Sequence, residues 1–212
     1  MAKLEYDGGE DAIDRMRKNP VSRVNFTIII INILVFAWVE TTGCSENLAH
    51  MLECGAAFPP LIAAGEYYRL VTCMFLHFGF EHLFNNMLLL FFIGDYLERA
   101  VGPLRYGVIY LLGGLGGSLL SFFYNLEIGR EVVSAGASGA VFAVIGAIDY
   151  VVIAHKGKLE DISLQRLLLM AVLSIYFGIV SGGVDNVAHI GGFAAGFLLG
   201  MIVYRKGRHS RE

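Results

Sequence analysis

Polar or ionisable side chains set inside apolar stretches are costly to bury, so each needs a chemical or structural reason. Four stand out in this chain of 212 residues: His82, Asn86, Ser138 and His189. A serine hydroxyl and a neutral imidazole suffice for nucleophilic catalysis, the imidazole taking the hydroxyl proton and returning it to a leaving amine. Imidazole N–H and amide NH2 groups are donors suited to a developing oxyanion. His82 and Asn86 are spaced i, i+4 and share a helix face. Ser138 lies in Gly136-Ala137-Ser138-Gly139-Ala140, where small neighbours admit a base and a substrate carbonyl. At a helix start its own backbone N–H is also free to donate. Each piece has a plainer reading: small residues pack membrane helices, and a His/Asn pair can simply bond across helices.

His189 opens a stretch in which Gly192, Gly196 and Gly200 recur every fourth residue. That leaves one helix face bare, where another backbone can come very close. A helix packed there brings a serine toward the imidazole. Alone, His189 reads as a buried histidine bonded to a carbonyl; paired with Ser138 at equal depth, it reads as a base. Asp185, four residues earlier, is read as an interfacial loop charge. Asp149 is on the Ser138 face but roughly 16 Å further along the helix, too far for a triad. His77 is five residues before His82, a poor spacing for shared ligation on a helix, and Glu81-His82 does not form HExxH. No metal or cofactor site is expected.

These groups need helices to hold them. Apolar residues make up 56% of the sequence, charged residues 17%, and mean hydropathy is +0.61. Soluble domains are nearer 45–50% apolar and about 25% charged, so a membrane protein is expected. Apolar runs cover Val24–Val39, Leu83–Leu97, Tyr106–Tyr124, Ala137–Ile153, Leu167–Val180 and Val187–Tyr204. Near the ~20 residues that cross a ~30 Å hydrocarbon core, they read as six helical spans. The first 23 residues are polar with ten charges, which excludes a cleavable signal peptide there. Of the sixteen Lys and Arg residues, all but Arg69 and Arg130 fall on one side of a six-span arrangement. The positive-inside rule then places both ends of the chain in the cytoplasm. Ser138, His189 and His82 lie 18, 16 and 17 residues from Lys156, Arg205 and Arg99. At 1.5 Å per residue these are roughly 27, 24 and 26 Å from the cytoplasmic border, with Asn86 near 20 Å. Three helices thus carry polar groups into one layer. A net charge of −3 offers no field for nucleic acid.

Residues 40–81 form a long external connection, too polar around Glu40–Glu53 to span and aromatic later. Val71–Phe80 is expected at the outer interface, packed on the bundle. Cys44 and Cys54 lie in this segment, either paired or as two free thiols.

Taken in order, Gly65-Glu66-Tyr67-Tyr68-Arg69, Phe75-Leu76-His77, His82-Leu83-Phe84-Asn85-Asn86, Gly94, Glu98, Gly136-Ala137-Ser138-Gly139 and Ala188-His189-Ile190-Gly191-Gly192 with Gly196 resemble the rhomboid family of intramembrane serine proteases. The likeness runs from about Asn19 to Tyr204. It implies an all-α, six-transmembrane-helix bundle in which the serine helix begins within the membrane at the base of a water-filled outward cavity. By that resemblance Ser138 is the nucleophile, His189 the general base and acid, and His82, Asn86 and the Ser138 N–H the oxyanion donors. It further implies a structural role for Glu98 and a membrane-embedded first loop around Arg69 and His77. Phe142 stands where many bacterial members have Tyr, and Tyr68 replaces a common Trp; neither removes a reacting group.

The expected organisation is a cytoplasmic tail over 1–23, a six-span catalytic domain over 24–204 and a basic cytoplasmic tail over 205–212. The expected activity is cofactor-free hydrolysis of peptide bonds in or near the membrane segments of other proteins. The expected location is the cell membrane, with lipid and transmembrane substrates as partners and no nucleic acid. Residues that bind substrate are not legible. Two rivals remain: a non-cutting rhomboid-like binding protein, against which both Ser138 and His189 argue, and a solute transporter, for which the sequence shows no inverted repeat.

Overall fold

Each of the six apolar runs forms a helix in the computed structural model, which describes Met16 and residues 21–156, 158–159, 162–181 and 183–204. The first, α1, is Arg23–Thr42; three short helices follow, α2 (Leu48–Glu53), α3 (Pro59–Ala63) and α4 (Arg69–Thr72), the last continued by a 3-10 turn at Cys73–Phe75. The second run starts as α5 (Gly79–Leu89), passes through a π-helical turn at Leu90–Gly94 and ends as α6 (Asp95–Val101). Then come α7 (Pro103–Glu127), α8 (Ser138–Ala154), a two-residue hairpin of β1 (Lys158–Leu159) and β2 (Ile162–Ser163), α9 (Leu164–Ser181) and α10 (Asn186–Val203). The architecture is an all-α bundle; the hairpin only turns the chain from α8 to α9.

Among the described residues three helices, α1, α7 and α10, are long and apolar enough to cross a membrane singly. The segments Arg69–Phe75 and Gly79–Val101 meet at 89°. With 17 residues, α8 is shorter than a full crossing and lies at the centre, packed on α7, α9 and α10. Ala140, Val141, Val144, Ile145, Ile148, Val151 and Val152 of α8 are all buried, while Ile30, Ile33, Leu34 and Trp38 of α1 face outward. A helix apolar all round and buried all round belongs at the core of such a bundle; one apolar and exposed suits lipid.

Polar pairs fix the helices that the apolar pattern leaves free to slide. The Glu98 carboxylate accepts from the Val24 and Asn25 N–H groups, at 3.0 and 2.6 Å, and so satisfies donors at the start of α1. Asn25 Nδ2 donates to the Leu90 carbonyl (2.9 Å), and Tyr106 Oη donates to Asn25 Oδ1 (2.5 Å). Leu90 opens the π turn, so the Asn25 amide serves a carbonyl where the helical ladder is disturbed. At Gly94 a Cβ would stand 2.7 Å from Tyr106 Oη, and glycine is what lets the three elements meet.

The connection 43–78 is folded and not a plain linker. Its anchor is Arg69, which is buried and donates through Nη1 to the Leu52 and Ala56 carbonyls at 2.7 and 2.9 Å. Nε and Nη2 of the same guanidinium reach Glu66. Tyr68 Oη donates to Glu66 Oε2 at 2.7 Å; that bond, with the guanidinium beside it, holds the Glu66 carboxyl below its usual range. Cys44 and Cys54 are free thiols.

Candidate active site

The loop that delivers Ser138 is shaped by Gly136, whose φ of +148° is a conformation L side chains rarely adopt. A Cβ there would lie 2.7 Å from Cε1 of His82 and 3.5 Å from Ser138 Oγ, so the His82 ring stands directly against this turn, beside the serine. Ala137 comes next, and the first helical bond of α8 runs from the Val141 N–H to its carbonyl at 2.9 Å. The Ser138, Gly139 and Ala140 N–H groups therefore have no intrahelical acceptor. The Ala137 N–H donates to His77 Nε2 at 3.3 Å. A histidine accepting at Nε2 carries its proton on Nδ1, and that atom has no partner among the described residues.

His189 arrives on α10. In this helix Gly192 abuts the Gly139 carbonyl and Gly196 abuts the Ala143 backbone, while a Cβ on Gly200 would lie 3.1 Å from Ala147 Cα. From the other side Gly146 abuts the Phe193 carbonyl. Equal steps of four along both chains mean that α8 and α10 run parallel, backbone against backbone. Ser138 precedes the Gly139 contact by one residue, and His189 precedes the Gly192 contact by three. At 1.5 Å per residue the two differ in height by only about 3 Å. The His189 ring is buried and stacks on Phe142, with centroids 4.3 Å apart and planes at 10°. Neither of its ring nitrogens has a hydrogen-bond partner among the described residues. The hydroxyl and the imidazole thus reach one layer without a hydrogen bond between them.

Above this layer lies a cavity of about 500 Å³, bordered by His82, Ser138 and Gly139 below and by Phe78, Phe122 and Val133 along its walls. Asn86 is buried one turn along from His82, and its Nδ2 donates to the His82 carbonyl at 2.9 Å; it is not among the residues bordering the cavity. So Ser138 and His82 share the cavity, His189 reaches the same layer stacked on Phe142, and Asn86 is tied to its own helix.

His77 belongs to this cluster, although five residues from His82 is a poor spacing for two groups to share one helix face. Its ring is buried and meets His82 edge-on, with centroids 5.2 Å apart. The i, i+5 argument assumed one continuous helix, whereas the chain turns through 89° between Phe75 and Gly79. Asp185, read as a loop charge, instead caps α10: its carboxylate accepts from the Ala188 N–H at 2.9 Å. Asp149 is fully buried within α8, and its carboxylate oxygens have no partner among the described residues.

Among known proteins, a family model described as Rhomboid domain matches residues 64–206. The chain is 36% identical over 172 residues to Rhomboid protease GluP of Bacillus subtilis (strain 168), covering 81% of this chain and 33% of that protein. It is 42% identical over 166 residues to RHOMBOID-like protein 5 of Arabidopsis thaliana, covering 77% and 53% respectively. With RHOMBOID-like protein 6, mitochondrial, of the same plant, identity is 37% over 213 residues, covering 84% of this chain and 67% of that protein. The chain therefore spans about a third of the length of the Bacillus relative and about half of the first of the two plant proteins.

Proposed function

The chain belongs to the rhomboid family, is an integral membrane protein, and, we propose, works as an intramembrane serine endopeptidase that cuts other membrane proteins in or near their transmembrane segments. The observation that carries this reading is the α8–α10 register, which sets Ser138 and His189 at one height beside a cavity of about 500 Å³. Support comes also from the similarity to a protein named as a rhomboid protease. Residues 24–204 form the catalytic unit, with the stretches 1–23 and 205–212, which lie largely outside the described residues, as its cytoplasmic tails.

In this reaction Ser138 Oγ adds to the scissile carbonyl carbon as its proton passes to His189. The carbonyl π pair moves to oxygen, and the resulting oxyanion is met by the Ser138 N–H and by His82. Collapse expels the amine, which takes the proton from His189 and leaves an ester on Ser138. A water entering through the cavity, deprotonated by His189, then hydrolyses that ester. Among the described residues neither nearby aspartate supplies a third, carboxylate member: Asp185 is occupied as a helix cap, and Asp149 is eleven residues down the helix. A free enzyme often holds its nucleophile and base further apart than the complex does, so the missing Ser138–His189 bond is compatible with this chemistry. Asn86 Nδ2 spends one N–H on the His82 carbonyl, and its second N–H is the donor it can offer to the oxyanion.

Labelling by a fluorophosphonate and cleavage of tagged single-span proteins test the proposal together. Wild type is expected to do both, and Ser138→Ala and His189→Ala neither, with all three equally folded. His82→Ala is expected to slow cleavage by about 10²–10³, the cost of one oxyanion donor. Cleavage by a folded Ser138→Ala variant, or a wild type that neither reacts nor cuts, would overturn it; the second result is what a non-cutting binding protein would give.

A further inference from the structure

Asp185 holds more of the structure than any other carboxylate near the site. Its Oδ1 accepts from the Ala188 N–H at 2.9 Å, one residue before His189, and its own carbonyl accepts from the His189 N–H at 3.2 Å. Oδ2 accepts two hydroxyls at once, Ser121 Oγ of α7 at 2.5 Å and Ser134 Oγ at 2.8 Å. Each of these serines is itself fixed. Asn125 Nδ2 donates to the Ser121 carbonyl and hydroxyl, at 2.9 and 3.1 Å. Ser134 exchanges both backbone bonds with Ala57, each 2.9 Å, and two residues later the Gly136 N–H donates to the Cys73 carbonyl at 2.9 Å. Ser134 thus lies on the strand of loop that ends at Ser138, docked to the external connection. Through one carboxylate the first turn of the His189 helix is bound to α7 and to the segment that carries Ser138.

Resting on the protease reading above, we propose that Asp185 is the positioning residue that keeps His189 in register with Ser138. It does so as a three-way hydrogen-bond acceptor, not as a charge relayed to the imidazole. The bare glycine stripe below supplies closeness but little resistance to sliding or fraying at the helix top, because glycines present no side chain to interlock. Ionic acceptors at an N-cap are the stronger kind of hydrogen bond, and here three donors converge on one. Gly183 and Val184, which precede the cap, are both exposed. The three residues bound by its carboxylate, Ala188, Ser121 and Ser134, border the cavity together with Asp185 itself, which places the hold on the cavity wall.

Two variants separate the roles. Asp185→Asn keeps an acceptor for Ala188 and a group able to bond both serine hydroxyls, while Asp185→Ala removes all three bonds. Hydrogen exchange of the 186–190 amides, read by mass spectrometry on the full chain in detergent, is expected to quicken about tenfold in Asp185→Ala and little in Asp185→Asn. The fluorophosphonate labelling rate is expected to fall with the first and be largely restored by the second. The double variant Ser121→Ala/Ser134→Ala leaves the cap intact and is expected to give an intermediate loss, which keeps the test open if Asp185→Ala does not fold. Unchanged exchange in Asp185→Ala, or an Asp185→Asn variant as slow as Asp185→Ala, would overturn the positioning role. Because exchange is read without any reaction, a wild type that fails to label would sink the protease reading and leave this result standing.

Discussion

Stacking on Phe142 is the contact that orients His189, since the ring nitrogens themselves are bound to nothing among the described residues. A parallel aromatic neighbour at 4.3 Å fixes the plane of the imidazole and so the plane in which it meets Ser138. Such a pair is worth about 0.5–1.5 kcal/mol, or about two- to tenfold in rate if the whole of it serves alignment. Phe142→Leu is therefore expected to slow fluorophosphonate labelling of Ser138 by that factor, and Phe142→Tyr to leave it near wild type. Equal rates for all three proteins would show that the stack only fills space. That Ser138, His82 and His189 stand out was legible in the sequence because a polar group in an apolar run is conspicuous. His77 was less so: its role depends on the turn between Phe75 and Gly79, and a spacing rule for straight helices misplaces it. The work of Asp185 was hidden for a different reason, as its partners Ser121 and Ser134 are 64 and 51 residues away.

The element that sets the site is the pair α8–α10, and half of it could be read in advance. Gly192, Gly196 and Gly200 announce a face for close approach. What they approach could not be read, because Gly139, Ala143 and Ala147 are one small-residue stripe among several in this chain, α7 having its own at Gly113, Gly114 and Gly117. That second stripe is used too: a Cβ on Gly117 would lie 2.6 Å from the Ala188 carbonyl, so α10 is gripped from two sides just above His189. The π turn at Leu90–Gly94 was not legible either, since the Asn25 amide that serves its Leu90 carbonyl comes from another helix. The contacts differ in severity, and a graded outcome follows. At Gly196 any side chain meets the Ala143 backbone, which cannot yield as a side chain would, whereas at Gly200 the nearest atom is at 3.1 Å. Gly196→Val is expected to cost at least the 1–3 kcal/mol typical of overpacking and to abolish labelling, while Gly200→Ala should cost about 1 kcal/mol or less. Thermal unfolding in detergent, with labelling measured in parallel, checks both. A Gly196→Val protein as stable and reactive as wild type would mean that the two helices do not meet in this register.

At the scale of the molecule the question is which side of the membrane the cavity opens to, because on the proposed protease reading that decides where a substrate is cut. The charge pattern and the fold bear on this separately. Arg23 at the start of α1, Arg99 and Arg105 about the α6–α7 junction, Lys156 after α8 and Arg166 early in α9 lie at one end of the bundle by the alternation of the helices. The connection from Gly43 to Phe78, with the free cysteines Cys44, Cys54 and Cys73, lies at the other end, as do the starts of α8 and α10. Basic residues are retained on the cytoplasmic side during insertion, so the cavity should face outward. Cys44 is exposed, Cys54 partly so and Cys73 buried, which gives the chain a built-in reporter. In intact bacterial cells producing the protein, a maleimide that cannot cross membranes should label wild type, and the Cys44→Ala/Cys54→Ala variant should stay unlabelled. A cysteine placed by Lys156→Cys in that variant should react only after the membrane is opened. The reverse pattern would put the cavity on the cytoplasmic side, and the proposed cut near the cytoplasmic end of the substrate's membrane segment.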